Sequence, residues 1–428
     1  MTRLRALIAV LAVVVVAAAC GSDAPDQRAT TAPAPTASSD ASPPTTNTIP
    51  APAGLPAFYS VPDPLPAGEP GAVIKTEPVA STKLHGTMTR VMYHSRSIQD
   101  ADIPVTGLIA VPNTPPPAGG FPVISWAHGT TGIADTCAPS LAPDDYADLA
   151  NNLLDAGYVV VGTDYEGLGT PGRHPYIVGE SEARGTLDII RAARSLPDAH
   201  ASDRYLVWGH SQGGHAAMFA LHIADTWAPE LHLVGVVAGA PPSQLSLIYA
   251  ALQNSPFKHY LLMAAAGFNA AYGDAAAPLS DVLTPTGIDA LANVDHGCSG
   301  DIATATANIP TSAVTKGDPS QVPAWAKLLN ENDPGKFTAP AKEPLLVIQG
   351  GNDEQIPVAA TALMFDQLCK INQVEQRWVY PGQSHAGVIA PSFPDMLHWI
   401  NDRFAGVPAP DATAPTGQPD VQAQTCPS

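Results

Sequence analysis

Residues 205–224 read YLVWGHSQGGHAAMFALHIA. The first four positions are apolar and suit a strand, and the last twelve suit a helix. Between them stands Gly209-His210-Ser211-Gln212-Gly213. A Gly-x-Ser-x-Gly spacing alone is weak: at about 7% per residue type it arises by chance in roughly one chain of this length in seven. A strand entering the motif and a helix leaving it make it specific, because together they form a nucleophile elbow. There the serine occupies a tight turn, its hydroxyl projects clear of the sheet, and the flanking glycines let strand and helix approach. The bland alternative is a glycine-rich turn with an incidental serine.

Outward from the elbow, short apolar runs alternate with longer amphipathic stretches. Candidate strands are 87–94, 105–111, 122–127, 158–162, 205–208, 233–238, 345–349 and 377–380. Candidate helices are 145–155, 180–195, 213–226, 358–370 and 392–404. Several strands are rich in Val and Ile without alternation, as expected when both faces of a parallel sheet are covered. The pattern predicts an α/β domain of the α/β-hydrolase fold, with a mostly parallel central sheet flanked by helices. The alternation stops over 241–340, which reads as a helical cap inserted between the sixth and seventh strands. That position lies above the carboxyl edge of the sheet, where ligands bind. Its apolar clusters, Leu245-Ser246-Leu247-Ile248-Tyr249 and Leu261-Leu262-Met263, are expected to wall an acyl site; plain coverage of the sheet is the alternative.

A serine hydroxyl needs a base to take its proton, and the base needs an orienting acid. In this fold they follow in the order Ser, acid, His. The strand PLLVIQG runs into Gly350-Gly351-Asn352-Asp353-Glu354, which makes Asp353 the candidate acid and Glu354 its rival. The strand QRWVYPG leads to Gln383-Ser384-His385, the candidate base. His210 and His215 read as packing or supporting groups, and His398 falls mid-helix. An oxyanion hole needs two backbone N–H donors. One is assigned to Gln212, after the nucleophile. The other is assigned to the loop His128-Gly129-Thr130-Thr131, where a threonine hydroxyl could add a further donor.

The ends of the chain read differently. Residues 1–20, MTRLRALIAVLAVVVVAAAC, have two arginines, an apolar run too short for a comfortable membrane span, small residues and Cys20. This is the layout of a secretory leader, and two outcomes stay open. Cys20 becomes a lipidated N-terminus that holds the enzyme at the membrane, or cleavage after Ala17-Ala18-Ala19 leaves it unmodified. Residues 21–56, rich in Ser, Thr, Ala and Pro, read as a disordered tether, and 407–428 as a C-terminal tail. The catalytic core is then 57–240 and 341–406. The expected location is extracellular or at the cell envelope.

Net charge is −19, and no basic stripe is present, which argues against nucleic acid. Beyond Cys20 the cysteines are Cys137, Cys298, Cys369 and Cys426, without metal-ligand spacing. They suggest disulfides in an exported chain, with three possible connectivities and no metal or cofactor. The oligomeric state is not readable.

These stretches also carry a family resemblance. CAPS at 137–140, DYEG at 164–167, the elbow with its helix, the acid loop NDEQIP and the histidine loop together resemble the secretory lipase family (the Candida lipase A-like group) over nearly all of 57–405. The resemblance implies a triad of Ser211, Asp353 and His385, an oxyanion donor at Thr131 where yeast members carry an acid, and disulfides Cys137–Cys298 and Cys369–Cys426. It also implies hydrolysis of acylglycerols and simpler esters. A peptidase or acyltransferase on the same fold, and an inactive surface-binding lipoprotein, are the competing readings.

Overall fold

The computed structural model describes residues 47–409, 415 and 420–426. The leader, Cys20 and the tether up to residue 46 lie outside the described residues. Twelve described strands are β1 (Asn47–Ile49), β2 (Val61–Asp63), β3 (Val73–Val79), β4 (Gly86–Arg96), β5 (Asp102–Pro112), β6 (Phe121–Ala127), β7 (Val159–Thr163), β8 (Ala201–His210), β9 (His232–Gly239), β10 (Leu345–Gly350), β11 (Glu375–Tyr380) and β12 (Gln422–Thr425). Ten of them form one sheet in the order β12-β11-β10-β9-β8-β6-β7-β5-β4-β3. From β7 through β6 to β11 every pairing is parallel. The strands β3 to β5 pair antiparallel at one edge, and β12 does so at the other.

Helices cover both faces. On one, α2 (Gly179–Ser195), α3 (Gln212–Trp227) and α11 (Val358–Lys370) bury Leu187, Ile190, Met218 and Leu368 against the sheet. On the other, α1 (Pro143–Asp155) and α12 (Ile389–Phe404) bury Tyr146, Leu153, Met396 and Trp399. The central strand β7, VVVGT, is buried at every position. Each fully buried aliphatic side chain of this strand contributes roughly 1.5–3 kcal/mol. The CAPS and DYEG stretches meet here: buried Asp164 accepts from Ser140 N at 2.8 Å and from Thr106 Oγ1 at 2.6 Å.

Between β9 and β10 the chain leaves the sheet for seven helices: α4 (Leu245–Leu252), α5 (His259–Tyr272), α6 (Leu279–Val282), α7 (Pro285–His296), α8 (Ser299–Thr306), α9 (Thr311–Val314) and α10 (Pro323–Glu331). They have their own core around Leu262, Met263, Phe268, Leu291 and Trp325, which extends onto Tyr176, Ile177 and Ile133 of the main domain. Arg173 adds a two-pronged ion pair to Asp295 of α7, both contacts at 2.8 Å. Among the described residues no helix is long and apolar enough to cross a membrane.

The ends of the described chain carry structure that their composition does not show. The segment read as tether is built over 47–56: β1 pairs with β2, and Ala51 and Leu55 pack on Phe58, Tyr59 and Met92. The tail read after 407 contributes β12 to the sheet, beside the Cys369–Cys426 disulfide. In both, a few apolar groups or one covalent link anchor backbone whose composition looks unstructured.

Candidate active site

Because β6, β8, β10 and β11 run parallel, the loops after them open on one edge. The elbow comes first. Ser211 has φ 60° and ψ −123°, a conformation that costs a non-glycine residue about 1–3 kcal/mol and persists only when its surroundings impose it. Those surroundings are glycines. A Cβ on Gly213 would lie 1.9 Å from the Ala127 carbonyl oxygen, and one on Gly209 would lie 2.1 Å from that of Gly213. Gly214 is a third: its Cβ would approach the Gly239 oxygen to 2.4 Å. Ser211 N donates to that same Gly239 oxygen at 2.8 Å.

After β10, the Asp353 side chain is completely enclosed. Its Oδ1 accepts from the Gln355 and Ile356 backbone N–H groups at 2.9 and 2.8 Å. Its Oδ2 accepts from Gln349 Nε2 at 2.7 Å and meets His385 Nδ1 at 2.8 Å. The carboxylate only accepts, so Nδ1 carries its proton there and Nε2 keeps its lone pair. Glu354 does not touch the ring; its Oε2 accepts from the His385 backbone N–H at 3.0 Å. The His385 ring packs 4.6 Å from that of His210, the residue before Ser211. Burial, with His385 close by, pushes His210 down to about 3, so it is neutral.

The loop after β6 crosses the elbow: a Cβ on Gly129 would lie 3.8 Å from Ser211 Cβ. Its two threonines differ. Thr130 Oγ1 is engaged with Tyr176 Oη at 2.8 Å, whereas Thr131 Oγ1 is buried with no hydrogen-bond partner among the described residues. The cap holds this loop. Ser299 N of α8 donates to the Thr131 carbonyl at 2.8 Å, Gly132 bridges to Cys298, and Cys137 and Cys298 form a disulfide. The second disulfide joins Cys369 and Cys426, the pairing the resemblance implied. Cys369, Cys426 and Glu375 also group closely enough to suggest metal ligands, but both sulfurs are in that disulfide.

From Ser211 an apolar cleft of about 910 Å³, its open mouth included, runs into the cap. Leu245, Ile248, Tyr249, Leu261, Phe268 and Trp325 line it. The cluster at Leu245–Tyr249 therefore faces the cleft at three positions. The second cluster is corrected: Leu261 faces the cleft, but Leu262 and Met263 are buried in the cap's own core. His398 lies exposed on α12. Sequence reasoning missed the groups that hold the site, among them Gln349, Tyr176 and Glu182. Each sits inside an ordinary strand, loop or helix, and only long-range contacts reveal it.

The sheet, the elbow and the acid–histidine pair define an α/β-hydrolase. A family model described as "Secretory lipase" matches residues 145–412, more than half of the chain. The chain belongs to the secretory lipase family and is an exported hydrolase of lipid esters. It is 27% identical to Lipase A of Moesziomyces aphidis, over 54% of this chain and 53% of that protein. It is 28% identical to the secreted triacylglycerol lipase LIP4 of Malassezia globosa, over 82% of this chain and 80% of that protein. The chain thus spans about half the length of the first relative and four fifths of the second. The crystal structure of Candida antarctica lipase A superposes with a TM-score of 0.72 at 20% identity, covering 82% of this chain and 88% of that one.

Proposed function

We propose that the chain cleaves acylglycerols or similar lipid esters through an acyl-enzyme on Ser211. The observation that carries this reading is the apolar cleft that begins at Ser211 and is walled by the cap. Ser211 Oγ attacks the ester carbonyl while His385 Nε2 takes its proton. Asp353 holds the ring in the tautomer that leaves Nε2 free. The tetrahedral oxyanion is met by the backbone N–H groups of Gln212 and Thr131, with the unengaged Thr131 hydroxyl as a further donor. Collapse expels the alcohol, protonated by His385, and water then releases the acid by the same steps. Thr131, rather than Thr130, completes the hole, because the Thr130 hydroxyl is already bound to Tyr176.

The acyl chain lies among Leu245, Ile248, Leu261 and Phe268, where each buried CH₂ contributes about 0.8 kcal/mol. A p-nitrophenyl ester series from acetate to palmitate tests this. kcat/KM should climb with chain length until the cleft is filled, and matched amides should be turned over far more slowly. A flat series, or preferred amide cleavage, would favour a peptidase. The leader further supports a lipidated Cys20 that holds the enzyme at the membrane, where two acyl chains suffice for stable anchoring. Cys20→Ser should move the protein from the detergent phase to the aqueous phase; unchanged partitioning would remove the anchor.

A further inference from the structure

Beneath the elbow lies a buried polar cluster whose side chains the hydrolytic steps do not use. Glu182 of α2, His215 and Gln212 of α3, and His174 are all enclosed. Their hydrogen bonds fix where the protons sit. Gln212 Nε2 has two hydrogens: one goes to Glu182 Oε1 at 2.9 Å, the other to His174 Nε2 at 2.8 Å. His174 must then donate from Nδ1, and it does so to the Glu166 carbonyl at 2.8 Å. Burial lowers the His174 pKa, in keeping with a neutral ring. His215 Nε2 donates to the Asn332 carbonyl at 2.8 Å, and its Nδ1 meets Glu182 Oε2 at 2.8 Å, so that contact holds one shared proton. Glu182 Oε1 also accepts from the Ile177 backbone N–H at 3.0 Å.

A buried acid–histidine pair is a poor stabiliser, since desolvation offsets much of its attraction. What this one holds is the residue after the nucleophile. Ser211 is strained, and the simplest relaxation rotates the Ser211–Gln212 peptide, which would swing the Gln212 N–H away from the oxyanion. On one side Ser211 N is fixed by Gly239. On the other, the Gln212 side chain is fixed by Glu182 and His174.

We propose that Glu182 is a positioning residue of the oxyanion hole, acting through the Gln212 side chain to set the Gln212 backbone N–H. The proposal rests on Ser211 as nucleophile and Gln212 N as oxyanion donor. The cap closes the same network: the Asn332 side chain accepts from Gly179 N at 2.9 Å and donates to Tyr272 Oη at 2.7 Å.

The test uses purified full-length protein with active sites counted by phosphonate titration. Glu182→Leu removes the acceptor, and kcat should fall about 10- to 100-fold, less than loss of a whole oxyanion donor. KM and the acid limb of the pH profile should not move. Glu182→Gln still accepts from Gln212 and can donate to His215, so it should restore most of kcat. Gln212→Met keeps the backbone N–H but drops the anchor, and should match Glu182→Leu. The double variant should lose no more than either single one, because both remove one contact. If Glu182→Leu does not fold, Gln212→Met carries the test. A titrated kcat within twofold of wild type in Gln212→Met, or additive losses in the double variant, would overturn the proposal. A fully active Ser211→Ala would instead overturn the reading of Ser211 on which it rests.

Discussion

His385 Nδ1 lies 2.8 Å from Asp353 Oδ2, while the adjacent acid, Glu354, holds the backbone N–H of the same histidine. Two neighbouring carboxylates thus divide the ring and the main chain of one residue between them. The consequences of removing them differ. Asp353→Asn should reduce kcat by about 10⁴-fold, because the amide no longer holds the reactive tautomer. Glu354→Gln keeps an acceptor for the main chain and should cost less than about tenfold. Steady-state rates at pH 8 decide the matter, and the opposite order would exchange the two roles.

Leu261 and Leu262 are neighbours with opposite surroundings, the first in the cleft and the second in the cap core. Leu261→Asp should depress hydrolysis of palmitate esters far more than of butyrate esters. The expected ratio is set by about 0.8 kcal/mol, roughly fourfold, for each CH₂ no longer buried. Leu262→Asp should lower thermal stability and all rates together. Equal chain-length profiles for the two variants would remove Leu261 from the acyl wall.

Glu375 gives a pH dependence of stability. Its Oε1 lies 3.6 Å from Cys369 Sγ and 3.8 Å from Cys426 Sγ, and disulfide sulfurs carry no hydrogen to donate. Burial pushes its pKa up from 4.5 to about 9, against the pull of Arg377. Between those values the fold keeps a proton that the unfolded chain loses, so this group lowers stability as pH rises through the window. Glu375→Gln should therefore raise Tm at pH 8 by at least ~2 °C and leave Tm at pH 4 unchanged. An equal gain at both pH values would assign the effect to packing.

The Cys137–Cys298 bridge closes a separation of 161 residues and pins the loop that carries Thr131 to the cap. Replacing both cysteines by serine should cost about 4–5 kcal/mol in the chain-entropy model. It should also lower kcat at temperatures where the protein remains folded. A loss of stability with kcat unchanged would confine the bridge to folding.

The elbow was legible in the sequence because a steric demand, glycine on both sides of a strained serine, leaves a fixed spacing. The cap was legible as a break in the strand–helix rhythm. Edge elements were not. β3 carries Lys75, Glu77 and Pro78, and β12 reads QAQT, so neither shows the apolar run of a buried strand. Nor was the inward face of α5: HYLLMAAAGF is apolar around most of its circumference, so periodicity does not separate Leu261 from Leu262. The Glu182 network relies on contacts between residues as far apart as 30 to 153 positions, which leave no local signature.

The central claim is that Ser211 is the nucleophile, and covalent labelling tests it most directly. The purified protein is treated with a fluorophosphonate, and the adduct is mapped by peptide mass spectrometry beside ester turnover. The account predicts one adduct per chain, on Ser211, with turnover lost in proportion, and neither labelling nor turnover in a folded Ser211→Ala variant. An adduct on another serine, or ester hydrolysis retained by Ser211→Ala, would contradict it.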